Sequence, residues 1–189
     1  MALRPTRRVG GGPSEPTPGS LADAGPEPDP ESVARTILLR RLAAAPRTRA
    51  QLAADLAARE VPGDAAERVL DRFTEVGLID DVAFATTWVR TRHAGRGLSR
   101  SALRRELRDK GIDDSTAADA LDQIDVDDEA DAARALVARR LPATRGLPRD
   151  ARMRRLVGQL ARKGYPGGMA MAVVREALTA EGEDEQEHP

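Results

Sequence analysis

The stretch Ser99–Asp113, SRSALRRELRDKGID, decides the fold, because it is written three times in the chain. Its residues Leu103, Leu107, Lys110, Ile112 and Asp113, with Ala117 and Leu121 beyond, fall 51 positions after Leu52, Leu56, Arg59, Val61, Pro62, Ala66 and Leu70. A further shift of 53 reaches Leu156, Leu160, Lys163, Tyr165, Pro166, Ala170 and Val174. A second block repeats at a shift of 49: Glu31, Ala34, Leu39 and Arg41 match Asp80, Ala83, Trp88 and Arg90, then Glu129, Ala132, Val137 and Arg139. Chance supplies one such match, but hardly two ungapped blocks in the same order three times. Apolar spacings of three and four within the blocks are those of a helix face, and no segment alternates with the period of a strand. The fold class is therefore all-α: three tandem three-helix repeats, forming an elongated, curved helical rod.

Each unit carries its own punctuation. The first reads as helices near 31–45, 48–59 and 62–76, with Thr48 and Gln51 as a capping box on the second. Ser99 takes the same place in the second unit, with Leu98 and Leu103 set as a hydrophobic staple. Gly111 and Gly164 stand where the second helix ends, and Pro62, Asp113 and Pro166 where the third begins. Two residues break these patterns: Glu60 replaces the glycine in the first unit, and Arg152 replaces the capping hydroxyl in the third. The domains follow as 31–79, 80–125 and 126–180. They are preceded by a disordered Pro/Gly-rich arm over 1–30, with seven prolines, and followed by an acidic tail over 181–189 that is not expected to pack. A three-helix unit of this size buries little surface alone, so neighbouring units are expected to share apolar faces. Phe73, Phe84 and Trp88, which straddle the first boundary, are expected to pack there.

Composition narrows the chemistry. The 189 residues contain no cysteine, so disulfide staples, thiolate metal sites and thiol nucleophiles are excluded. No apolar run is long enough for a membrane span, and a cytoplasmic protein is expected. Aromatics are 2% of the chain, too few for a module that stacks bases on aromatic platforms. Of the two histidines, His93 has no second imidazole or cysteine to complete a metal set. Asp80–Asp81 and Asp127–Asp128–Glu129 recur at helix starts, where capping and the helix dipole account for them better than a metal. No nucleophile, base and orienting group occur together, so neither catalysis nor a cofactor is expected.

The arginines remain. Overall 30 basic residues face 31 acidic ones, but residues 31–180 hold 27 against 22, and residues 126–180 hold 11 against 6. The repeats differ in length at one place: Arg41 to Leu52 spans 11 residues, Arg90 to Leu103 spans 13, and Arg139 to Leu156 spans 17. Growth falls in two Arg-rich loops, Arg92–Gly97 and Arg145–Arg149, and loop growth on one side of a repeat array marks a binding side. Arg100, Arg104 and Arg108 are spaced to form one helical stripe, and Arg149, Arg152, Arg154, Arg155 and Arg162 make a similar group in the third unit. For any single arginine a solvated helix face is the simpler account. For the cluster beside grown loops, binding of phosphate or carboxylate is favoured.

Gly77-Leu78-Ile79-Asp80-Asp81, Phe84-Ala85, Trp88-Val89, the loop residues Arg92, Gly95 and Gly97, and the run Arg104-Arg105-Glu106-Leu107-Arg108-Asp109-Lys110-Gly111-Ile112 together resemble the RecX family of recombination regulators. Leu160-Ala161-Arg162-Lys163-Gly164-Tyr165 is similar to the equivalent third-unit segment. The resemblance implies a non-enzymatic modulator that binds the RecA recombinase and lodges in the groove of its filament on single-stranded DNA. There it restrains filament growth, ATP hydrolysis, strand exchange and co-protease activity in the damage response. Direct contact with single-stranded DNA stays open, and a monomer is expected because the repeat faces can be satisfied within one chain. Charge and loop geometry, rather than the family motif, make Arg90, Arg92, Arg96, Arg100, Arg104, Arg105 and Lys110 the candidate binding residues. The rival is a helix-turn-helix DNA-binding transcriptional regulator, built on Arg49–Leu56 and the helix after it. Against it, the pattern recurs twice more and no β wing follows Gly77.

Overall fold

The structure, a computed structural model, describes residues 29–187, and among these it contains nine α-helices and no strand. The first unit comprises α1 (Pro30–Ala44), α2 (Arg49–Ala57) and α3 (Gly63–Glu75). The second comprises α4 (Asp81–Arg96), α5 (Arg100–Asp109) and α6 (Asp114–Leu121). The third comprises α7 (Val126–Arg140), α8 (Arg149–Arg162) and α9 (Gly167–Glu187), with a 3-10 turn at Pro142–Thr144. The arm expected over 1–30 lies outside the described residues as far as position 28. Its last two residues belong to α1, with Pro30 at the first helical position and the Asp29 carboxylate accepting from Ser32 N at 3.1 Å. The loop expected at Arg92–Gly97 is helical instead. The two extra residues lengthen α4 to Arg96, and Gly97 ends it in the left-handed conformation with φ 58°.

The expectation of shared apolar faces is corrected by the packing. Buried apolar side chains fall into three separate clusters, one per unit. Leu38, Leu52, Leu56 and Leu70 fill the first, Val89, Leu103, Leu107 and Leu121 the second, and Val137, Leu156, Leu160 and Leu178 the third. All the well-packed helix pairs lie inside one unit. Phe73 belongs to the first core, whereas Phe84 and Trp88 pack on the second and stack on each other with ring centroids 5.7 Å apart. A leucine-rich core of its own closes each three-helix unit, so the burial that stabilises a unit is found within that unit.

What joins the units is built on helix ends, with polar bonds between them and close approaches of small residues beside those bonds. The start of α2 meets the end of α5, and the start of α5 meets the end of α8. Thr48 Oγ1 donates to Lys110 O at 2.6 Å while accepting from Gln51 N at 3.2 Å, and Ser99 N donates to Lys163 O at 3.1 Å. Each junction sets the negative end of one helix dipole against the positive end of the next. A carboxylate from the following unit completes each junction: Asp81 accepts from Arg49 N at 2.9 Å, and Glu129 accepts from Arg100 N at 2.9 Å. The acidic residues at helix starts therefore divide the work: Asp80 and Asp125 cap α4 and α7, while Asp81 and Glu129 cap the preceding unit. Burial pushes the Asp81 carboxyl above its ordinary range, against the pull of the Arg49 amide. The second junction also holds Tyr165, whose hydroxyl donates to Gly97 O at 3.1 Å and is pushed up to about 12 by burial and the nearby Glu129 charge.

The approach at these junctions is close enough to require glycine. Gly111 has φ +76°, and a Cβ there would overlap that of Ala50. Gly164 has φ +86°, and a Cβ would stand 2.6 Å from Ser99 Oγ and 2.8 Å from Ala102 Cβ. Glu60 occupies the same left-handed conformation, φ 59°, at the end of α2, which no unit approaches. Its side chain has room, so only the backbone strain remains. At the other end of the array α8 begins a turn early at Arg149, which places Arg152 inside the helix rather than at its cap.

The acidic tail expected from residue 181 does not begin there. Helix α9 continues to Glu187, and Glu181 is buried at 8% exposure, paired with Arg145 Nε at 2.7 Å and with Arg152. The Arg145 hydrogen bond, then that of Arg152, holds its carboxyl below the ordinary glutamate value of about 4.5. A depressed folded-state value stabilises the fold above that ordinary value, and the stabilisation is lost as pH falls through the folded one. Glu181→Gln is expected to destabilise the third unit by about 1 kcal/mol at neutral pH. Thermal melts of the two proteins should converge as the pH is lowered below 4.5.

Candidate functional site

The seven candidate cations separate into three environments. Arg92 and Lys110 sit on the aromatic pair: the Arg92 guanidinium is 4.1 Å and the Lys110 ammonium 4.0 Å from the Trp88 ring centre. Trp88 Nε1 donates to Glu106 Oε2 at 2.8 Å, and the same carboxylate oxygen lies 3.7 Å from Arg92 Nε. The result is a small cation–π cluster holding the free face of α4 against the end of α5. Arg100 is engaged elsewhere. Its guanidinium donates to Ile124 O and to Asp122 Oδ1, the latter at 2.9 Å, so it ties α5 to the segment after α6. The four-residue spacing of Arg100, Arg104 and Arg108 therefore does not produce a uniform stripe, since Arg108 also has a partner, Asp114, at 3.5 Å.

Arg90, Arg96, Arg104 and Arg105 are exposed and enter no ion pair among the described residues. They are the candidates with charge to offer. The third-unit group divides the same way. Arg149 donates to Leu178 O and Arg152 to Thr144 Oγ1 and Glu181, so both are structural.

Two grooves flank the end of α4. The first, about 870 Å³, lies between the end of α1 and α4, and is lined by Leu42, Pro46, Leu78, Ala83, Phe84 and Trp88 among others. Leu78, half exposed, is one of the large apolar side chains the fold leaves in solvent. The second groove, about 740 Å³, lies between the end of α4 and helices α7 and α8, and carries Arg96, Arg139, Arg140, Arg162 and Lys163. No carboxylate lines it, and Gly95 and Arg96 belong to both grooves. Sequence reading missed this second site. Arg139 and Arg140 lie one after the other in the chain, but which acidic groups face them is a property of the packing.

Neither groove resembles a catalytic centre. Among the described residues no three His, Cys, Asp or Glu side chains converge as metal ligands, and His93 Nδ1 is bonded to Leu98 O at 2.9 Å. No described helix is long and apolar enough to cross a membrane.

Residues 34–73, 80–121 and 127–174 match, in that order, the first, second and third three-helix domains of RecX. The "Regulatory protein RecX" of Streptomyces coelicolor (strain ATCC BAA-471 / A3(2) / M145) is 55% identical over 183 residues, 96% of this chain and 95% of its own length. That of Thermobifida fusca (strain YX) is 56% identical over 149 residues, covering 79% of this chain and 80% of its own. The crystal structure of RecX from Lactobacillus salivarius superposes with a TM-score of 0.72 at 21% identity, covering 78% of this chain and 96% of that one, a likeness of fold.

Proposed function

Because the chain belongs to the RecX family of regulatory proteins, non-enzymatic by family and directed at RecA, we propose that it binds the RecA filament on single-stranded DNA. Binding inhibits filament extension and, through it, ATP hydrolysis, strand exchange and co-protease activity. The observation that carries this reading is the ordered match of all three units, set beside unpartnered guanidiniums on the middle one. Three separately cored units on polar junctions suit a ligand that repeats along an axis, because successive units can meet successive protomers. Arg90, Arg96, Arg104 and Arg105 can meet carboxylates of RecA or phosphates of the strand without first breaking an internal ion pair. Arg92 and Lys110 position Trp88, and Arg100 supports the fold beneath them.

The test is single-stranded-DNA-dependent ATP hydrolysis by the cognate RecA with substoichiometric protein. The wild type is expected to inhibit. The triple variant Arg96→Ala/Arg104→Ala/Arg105→Ala, with its helical spectrum intact, is expected to need about tenfold more protein for the same effect. Undiminished potency removes these three residues from the site. Absence of inhibition by the wild type, with sequence-selective duplex binding in its place, favours a helix-turn-helix DNA-binding regulator instead.

A further inference from the structure

The two grooves are repeat-equivalent. The shift of 49 that relates the first helices carries Pro46 to Gly95, Arg47 to Arg96, Trp88 to Val137 and Thr91 to Arg140, all of which line one groove or the other. The same architectural position has thus been given two chemistries, apolar between the first and second units and cationic between the second and third. They are not separate sites on the surface, since Gly95 and Arg96 form the ridge between them.

We propose that the two grooves form one composite docking surface for an extended protein segment with an apolar anchor beside a run of carboxylates. The cationic half supplies the charge argument. Some exposed arginines are matched internally, as Arg68 is by Glu31 and Asp64, and others such as Arg104 and Arg154 stand apart in solvent, but in this groove the cations gather and no carboxylate lines it. Arg139, Arg140 and Arg162 are exposed, share one groove and enter no ion pair among the described residues. In a chain whose formal net charge is −1, such a concentration of unmatched charge is local and calls for an anion. Planar guanidiniums side by side suit carboxylates bidentately.

The apolar half decides between protein and nucleic acid. A nucleic acid strand would use the first groove only by stacking bases on its aromatics. The Trp88 ring is already engaged by Phe84, Arg92 and Lys110, so no free platform is offered. Leu42, Pro46, Leu78 and Ala83 instead make an aliphatic wall for a side chain. A segment crossing the Gly95–Arg96 ridge places its anchor against that wall and its carboxylates among the arginines. The surface is defined by its own chemistry, and the proposal stands whether or not RecA supplies the segment.

Trp88 is the chain's sole tryptophan and lines the apolar groove, so its emission reports occupancy directly. The full-length protein is titrated with labelled short peptides in which a leucine pair precedes or follows a run of glutamates. Companion peptides carry serine for leucine or glutamine for glutamate, and an oligothymidylate of equal charge is the nucleic-acid probe. One leucine–glutamate order is expected to shift Trp88 emission, to bind about tenfold tighter than either companion peptide and to weaken with salt. Arg139→Ala/Arg140→Ala is expected to reduce that affinity about tenfold with an unchanged melting temperature. Leu78→Ser is expected to abolish the advantage of the leucine pair. Tighter binding of the oligothymidylate, an unmoved Trp88 spectrum, or peptide affinity indifferent to Arg139 and Arg140 overturns the proposal.

Discussion

Leu107→Ala is expected to destabilise the second unit by about 3 kcal/mol while leaving the third almost untouched. Leu107 is fully buried in the middle cluster, and truncating such a leucine removes its burial and leaves a cavity, for about 2–5 kcal/mol. In a protein with one core that loss would be shared by every element. Here the three clusters are separate and the junctions are made of helix ends, so the damage has no packed route outward. Amide exchange should accelerate over α4, α5 and α6 and stay near wild type over α7, α8 and α9, and calorimetry should show the transition splitting. The inhibition of RecA proposed above should fall with it, because Arg90, Arg96, Arg104 and Arg105 lie on the second unit. A single cooperative transition with protection lost uniformly would mean that the junctions couple the units more strongly than their contacts suggest.

Gly164→Ala should act in the opposite sense, parting two units whose cores remain sound. Alanine at φ +86° carries about 1–2 kcal/mol of backbone strain. Its Cβ would also press on Ser99 Oγ and Ala102 Cβ, at 2.6 and 2.8 Å, and Ala102 sits on the first turn of a helix that cannot easily yield. A total cost of about 2–3 kcal/mol follows, expressed at the junction. The Ser99 amide, bonded to Lys163 O, should lose protection, while amides within the α7–α9 core keep theirs. Gly111→Ala should do the same between the first two units. Glu60→Gly is the control: it relieves the same backbone strain where nothing packs and should be neutral to mildly stabilising. If Gly164→Ala were as mild as Glu60→Gly, close approach would not be what the glycine serves.

Helix order and the capping chemistry were legible because both are local. Thr48 with Gln51 and Ser99 before Ala102 form the caps that their spacing announces. Periodicity also named the buried leucines, yet it could not say whether the surface they meet belongs to their own unit or the next, and the sharing of faces was misjudged for that reason. Arg100 and Arg104 show the same limit on the polar side. They stand four apart on one helix, but Asp122 and Ile124 O, beyond α6, hold the first and leave the second in solvent. The acidic tail was misjudged because Glu181 reads as one more surface carboxylate until Arg145 and Arg152 are folded against it. Glu60 and Arg152, which looked like imperfect copies, are the two places where, among the described residues, no further unit joins the array.

A head-to-tail junction is a heterologous contact, and contacts of that kind propagate without limit wherever a free copy of each half is presented. This chain presents neither. One terminus carries Glu60 instead of glycine, and the other carries a helix that starts a turn early behind Pro148, with no hydroxyl at its cap. The two unjoined halves therefore differ from the joined ones: the close approach that Gly111 and Gly164 permit meets a side chain at Glu60, and no hydroxyl stands at the start of α8 to bond a helix end.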